Sequence, residues 1–155
     1  MAEIYKGVNT AVSTKLFVKG DAISPDSNVD VDVYDITKDP LFNINPEVKI
    51  GTYQGESSDI DVGVFNLYLP LSVINRDKKL KLIWKYTYQS VNYQHVTYLD
   101  VVTPYISLEE AIEDLGLGSD SNDPNYKTFH EIRMAEKYAR KQVEYYTGQR
   151  FSLYD

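Results

Sequence analysis

The spacing of apolar residues changes once along this chain, at Thr103-Pro104. Upstream, apolar residues recur at every second position; downstream they recur at gaps of three and four. A period of two builds a strand with one buried face, and gaps of three and four build one face of a helix. A chain of 155 residues is long enough for one domain or two small ones. We therefore expect an α+β protein: an Ig-like antiparallel β-sandwich over residues 1–102, then a small helical module over 103–155.

The firmest strand pattern is Leu80, Leu82, Trp84, Tyr86 and Tyr88 on one face, with Lys79, Lys81, Lys85 and Thr87 on the other. Val29-Asp30-Val31-Asp32-Val33-Tyr34 alternates as cleanly, which predicts one buried face and one acidic face. Further strands are predicted within 2–19 (15–18 the firmest), over 48–53, over 62–69 with Phe65, Leu67 and Leu69 inward, and over 93–102. Gly20, Pro25 and Asn28 mark one turn, Asn75-Arg76-Asp77 another, and 89–92 a third. A long connection over 37–46 holds Asp39-Pro40 and Asn45-Pro46, whose prolines push their predecessors into extended geometry. About seven short strands with frequent turns suit a sandwich.

Two helices are expected after the switch. Ser107-Leu108-Glu109-Glu110 reads as a capping box opening a short helix over 107–115, with Leu108, Ala111, Ile112 and Leu115 inward. The longer helix is placed over 124–147, with Asp123 as N-cap, Pro124 at the first helical position and Gly148 as the stop. Phe129, Ile132, Ala135, Ala139, Val143 and Tyr146 then form one apolar stripe. Glu131, Arg133, Glu136, Lys137, Arg140, Lys141 and Glu144 form the opposite face, expected to be solvated. A narrow stripe on so long a helix still needs something to pack on, and a neighbouring subunit is one expectation.

Several function classes lose ground on composition. Residues 1–125 carry a net charge of −9 and residues 126–155 a net charge of +2, for −7 in all. Phosphates repel such a body, so sequence-specific nucleic-acid binding is not expected. No cysteine is present, which removes disulfides and thiolate zinc sites. The N-terminal MAEIYKGVNT lacks a basic segment followed by an apolar one, and no apolar run approaches the ~20 residues of a membrane span. A reduced, soluble, cytoplasmic setting is expected.

No catalytic set stands out. His95 falls on a predicted strand and His130 on the long helix, with no Gly-x-Ser-x-Gly elbow and no glycine-rich phosphate loop. The aspartate pairs Asp30/Asp32, Asp59/Asp61 and Asp120/Asp123 suit a strand face or a turn better than a site. The oxygen-rich loop from Asp120 puts Asn125 where a calcium loop needs glycine. No enzyme, cofactor or metal is expected. The 14 tyrosines favour half-exposed faces and interfaces. Trp84, Tyr86, Tyr88, Tyr93 and Tyr98 would suit sugar stacking if they faced outward, but Trp84 shares its face with Leu80 and Leu82, which makes it core.

Three phrases in the last third carry a resemblance. They are Val101-Val102-Thr103-Pro104-Tyr105 leading into Ser107-x-x-Glu110, then Ala135-Glu136-Lys137-x-Ala139-Arg140-Lys141, then Tyr145-Tyr146-Thr147-Gly148-Gln149-Arg150-Phe151. In order and spacing, residues 101–155 resemble the head–tail connector (adaptor, or neck) proteins of tailed bacteriophages. The resemblance implies a virion protein of the neck, assembled in the bacterial cytoplasm. It implies a homo-oligomeric ring, twelvefold by the family pattern, that prolongs the DNA channel without gripping the duplex. The implied partners are the portal protein and a tail or tail-terminator (gatekeeper) protein. The implied interface residues are Tyr105, Arg140, Tyr145, Tyr146, Arg150, Phe151 and Tyr154. The alternative is a carbohydrate- or protein-binding β-sandwich module.

Overall fold

The computed structural model describes residues 2–37, 47–58, 61–118 and 120–148. The chain divides into two compact units, Met1–Val102 and Thr103–Asp155. The described residues are β-rich, with strands in the first unit and two helices in the second.

Among its described residues the first unit has nine strands: β1 (Ala2–Tyr5), β2 (Val12–Lys15), β3 (Phe17–Val18), β4 (Asp21–Ala22), β5 (Val29–Asp35), β6 (Val48–Ser57), β7 (Val64–Leu67), β8 (Lys78–Tyr88) and β9 (Val91–Val102). Seven of them form one sheet in the order β1-β9-β8-β5-β6-β7-β2, while β3 and β4 pair as a small hairpin. All neighbours are antiparallel except β1, which runs parallel to β9. The ten-residue β6 is shared: Val48 to Gly55 pairs with β5, and Glu56 and Ser57 pair with β7. One hydrophobic core collects residues from both ends of this sheet, Val12, Phe65 and Leu67 at one and Ile4, Leu99 and Val101 at the other, together with Val31, Leu82 and Trp84 from its middle.

The period-two patterns hold where they were strongest. Val29, Val31, Val33, Leu80, Leu82 and Trp84 have no exposed surface. Trp84 is core, and its indole N–H donates to Thr97 Oγ1 at 2.9 Å, so the apolar bulk is buried with its one donor satisfied. Tyr86 is buried too, its hydroxyl donating to the Phe17 carbonyl at 3.0 Å. The strand predicted over 15–18 is broken. Leu16 is fully buried between β2 and β3, and its N–H donates to the Gly63 carbonyl. Gly63 lies at φ +81°, where a Cβ would meet the Leu16 carbonyl at 3.0 Å, so side chains are excluded by both torsion and space. β7 is shorter than the predicted 62–69, and β6 is longer than the predicted 48–53. The 37–46 connection lies outside the described residues except for Thr37, whose N–H and hydroxyl both donate to Asp35 Oδ1.

One acidic strand face behaves unexpectedly. Asp30 is exposed, but Asp32 is only 3% exposed. Its carboxylate lies 2.5 Å from Lys85 Nζ and 3.4 Å from Lys49 Nζ, and accepts from Thr52 Oγ1 at 2.6 Å. Burial pushes its pKa up, but the hydrogen bonds from Lys85 and Thr52 and the charges of Lys85 and Lys49 outweigh this and hold it below the usual carboxylate value.

Candidate functional site: the open helical module

The second unit holds α1 (Leu108–Asp114) and α2 (Phe129–Thr147). Ser107 caps α1 as its motif requires: Ser107 Oγ accepts from the Glu110 N–H, and Glu110 Oε2 accepts from the Ser107 N–H, both at 3.1 Å. α2 begins later than its pattern suggested. Its N-cap is Thr128 and not Asp123, with a second capping box between Thr128 and Glu131 at 2.9 and 3.2 Å. Asp123 instead accepts from the Asn125 N–H at 2.9 Å, and Asp120 from the Asn122 N–H at 3.0 Å. These short side chains hold turns, which bond their own backbone two residues on and compete with helix. At the far end Gly148 takes the left-handed conformation at φ 68°, its N–H donating to the Glu144 carbonyl.

The faces of α2 are reversed from expectation. Glu136 and Arg140, assigned to a solvated face, are its buried residues, at 6% and 1% exposure. Arg140 Nε donates to Glu136 Oε1 at 3.0 Å, and a second guanidinium nitrogen reaches Glu136 Oε2 at 3.4 Å. The Tyr105 N–H also donates to Glu136 Oε1, at 3.0 Å. Buried charges persist only when so paired and hydrogen-bonded. On the predicted apolar stripe Ile132 is half-buried, while Phe129, Ala135, Ala139, Val143 and Tyr146 are exposed.

Beside that stripe runs an open groove of about 590 Å³ between α1 and α2. Ala111 of α1 and Leu115 at its C-cap form one wall, Ile132, Ala135 and Ala139 of α2 the other, and Ile106 and Leu117 close it further. Lys127, Glu131 and Glu136 supply its polar lining. On α2 the next stripe round, Met134, Tyr138 and Tyr145, is also exposed. Tyr145 and Tyr146 stand edge-to-face, with ring centres 5.5 Å apart. An apolar groove beside exposed aromatics can dock a protein surface.

The named interface residues are thus spread. Tyr105 is 41% exposed, Tyr145 81% and Tyr146 80%. Arg140 is turned inward, so its charge is engaged by Glu136 rather than offered to a partner. Arg150, Phe151 and Tyr154 lie outside the described residues. In the sequence the groove is signalled only by Ala135 and Ala139, two small residues four apart that leave a trough on a helix face.

The other candidates fall elsewhere. His95 sits on β9 opposite Trp84, and His130 in the first turn of α2. Among the described residues no cluster of His, Asp and Glu can hold a metal ion, and no helix is long and apolar enough to cross a membrane. A second cavity of about 430 Å³ in the first unit is polar, lined by Ser24, Ser27, Asn28, Ser57, Ser58 and Asp61 among others. No family model and no curated protein matches the chain.

Proposed function

We propose that this chain is a structural protein of the tailed-phage neck. Copies form a ring that joins the portal of the capsid to the tail, meets a tail-terminator or gatekeeper protein, and continues the DNA channel. The single observation that carries this is the reversed α2, whose apolar half is left open beside the groove. Both ends of α2 are capped, yet its apolar side is open, and assembly supplies the cover. The net charge of −9 over residues 1–125 suits a channel along which phosphates slide without being held.

For the first unit we infer the Ig-like sandwich. Its support is the strand order: β1 parallel to β9 at one end, antiparallel β9-β8-β5-β6 beside it, and β6 passing from β5 to β7 and so to β2. A strand shared in this way lets a sheet fold across its own core.

Electron microscopy of the purified protein mixed with its portal tests the neck assignment. Ring-like particles seated on the portal are expected; neither docking nor a ring overturns it. The second possibility, a binding module, is favoured by Val96 and Tyr98, which stand 41% and 46% exposed on β9. Its sugar-stacking form is weakened by the burial of Trp84. Hits for residues 1–102 on a glycan or protein array would favour it over the neck.

A further inference from the structure

We infer that β9 is an open pairing edge filled by β9 of a second copy, the two strands running antiparallel about a two-fold axis at Gln94. The contact uses only the first unit and goes beyond the neck reading. β9 pairs with β8 from Val91 to Val101. On its other side β1 covers only Leu99 to Val102. Among the described residues no strand lies beside Val91 to Thr97 on that side. The Lys6 N–H donates to the Val102 carbonyl at 2.8 Å, so Val102 directs its backbone groups away from β8. Alternate residues of a strand share that direction, so Asn92, Gln94 and Val96 present N–H and C=O groups at the open edge. An extended backbone is what satisfies such a row.

Sheet edges are blunted by short strands, lysine, proline or a bulge. The other edges follow that rule. β1 and β2 are four residues long, and β2 ends on Lys15. β6, which β7 covers only at Glu56 and Ser57, carries Lys49 beside the register shift at Val33/Tyr34. Val91 to Thr97 has no such guard: it holds no Lys, Arg, Asp, Glu or Pro, and its register with β8 runs without a shift. Fit and charge select a second copy as the occupant. The open stretch is bounded by the Gln89-Ser90 turn and by β1, and its midpoint is Gln94. A two-fold axis there lays the open stretch of each copy on that of the other, with each β1 beyond the other copy's turn. Gln94 then faces Gln94, Asn92 faces Val96, Tyr93 faces His95 and Val91 faces Thr97. The outward-pointing positions meet one another and exchange about six backbone hydrogen bonds. Tyr93, His95 and Thr97, half-buried on the side of Trp84, keep to one side of the joined sheet. At −7, two copies repel over most of their surface, but none of these pairs carries a charge. Lys85, the β8 neighbour of Gln94, is held by Asp32. It lies three strand spacings, ~14 Å, from its counterpart, beyond the ~8 Å screening length.

The chain lacks cysteine, so an introduced thiol reports its own contact in the full-length protein. Asn92, Gln94 and Val96 are all exposed and tolerate exchange. Gln94→Cys should give a disulfide dimer by itself on oxidation. Asn92→Cys and Val96→Cys should each stay uncross-linked alone, and their mixture should give the dimer. Gln94→Lys and Gln94→Glu each set like charges face to face and should weaken the dimer about fivefold in sedimentation. Their equimolar mixture should recover it. Circular dichroism checks that each variant is folded. A folded Gln94→Cys variant that gives no dimer overturns the inference, as does a dimer whose affinity Gln94→Lys leaves unchanged. Cross-linking of Asn92→Cys alone would put the strands in another register and overturn the axis at Gln94.

Discussion

Asp32 shows how much a neighbouring strand alters one side chain. Its register places it between Thr52 of β6 and Ile83 of β8, and Lys49 and Lys85 reach over it from those same strands. In the unfolded chain these cations disperse and the carboxyl returns to ~3.9. The folded pKa is depressed, so the contribution to stability is fully present above the unfolded value and is lost as pH falls through the folded one. Asp32→Asn is expected to cost about 1.5–3 kcal/mol at neutral pH, the scale of a charge-assisted hydrogen bond. It should also flatten the fall in stability below pH ~4, and denaturant melts from pH 7 to 3 would measure both effects. An unchanged acid limb would show that other carboxylates set it. Trp84 makes the opposite point. Its neighbours Leu80 and Leu82 already declared its face, and its burial needed no partner beyond Thr97 for the indole N–H.

Among elements, the start of α2 separates two caps that look alike in sequence. Thr128→Ala removes a real cap and should cost about 1 kcal/mol in thermal or chemical denaturation. Asp123→Ala should leave the helix content of α2 unchanged by circular dichroism, because Asp123 holds a turn. Equal losses from the two would place the helix start upstream. The β8–β9 hairpin is the other informative element. Its two-residue turn, Gln89-Ser90, has φ of 49° and 63°, values that glycine and asparagine adopt with least strain. Gln89→Asn with Ser90→Gly is expected to raise stability by about 0.5–1 kcal/mol, read as a higher denaturation midpoint. The Ser90 N–H that donates to Asp26 Oδ2 belongs to the backbone, so this bond survives the exchange.

For the whole molecule, the decisive contrast is between folding and assembly. Tyr145 and Tyr146 are too exposed to matter to the isolated fold. Tyr145→Ser with Tyr146→Ser should therefore move the unfolding free energy by no more than about 0.5 kcal/mol. The same pair should abolish higher-order particles in sedimentation, since tyrosines of this kind carry interface energy. A variant that assembles normally would free the tyrosines of that role. A variant that unfolds would show that they belong to the core of the second unit.

The α+β layout, the buried faces of β5 and β8, and the caps at Ser107 and Gly148 were legible from sequence. Each depends on a local rule: a period of two, a reciprocal hydrogen bond within one turn, or a backbone torsion that only glycine adopts freely. Tertiary structure alone decided which face of α2 turns inward. Helical periodicity separates an apolar stripe from a charged one but does not say which is covered, because a charged pair can be buried when its partners satisfy it, although at a desolvation cost that a methyl group does not carry. Glu136, Arg140 and the Tyr105 N–H supply that satisfaction. Once they occupy the inside, Ala135, Ala139 and the tyrosines are left to face outward.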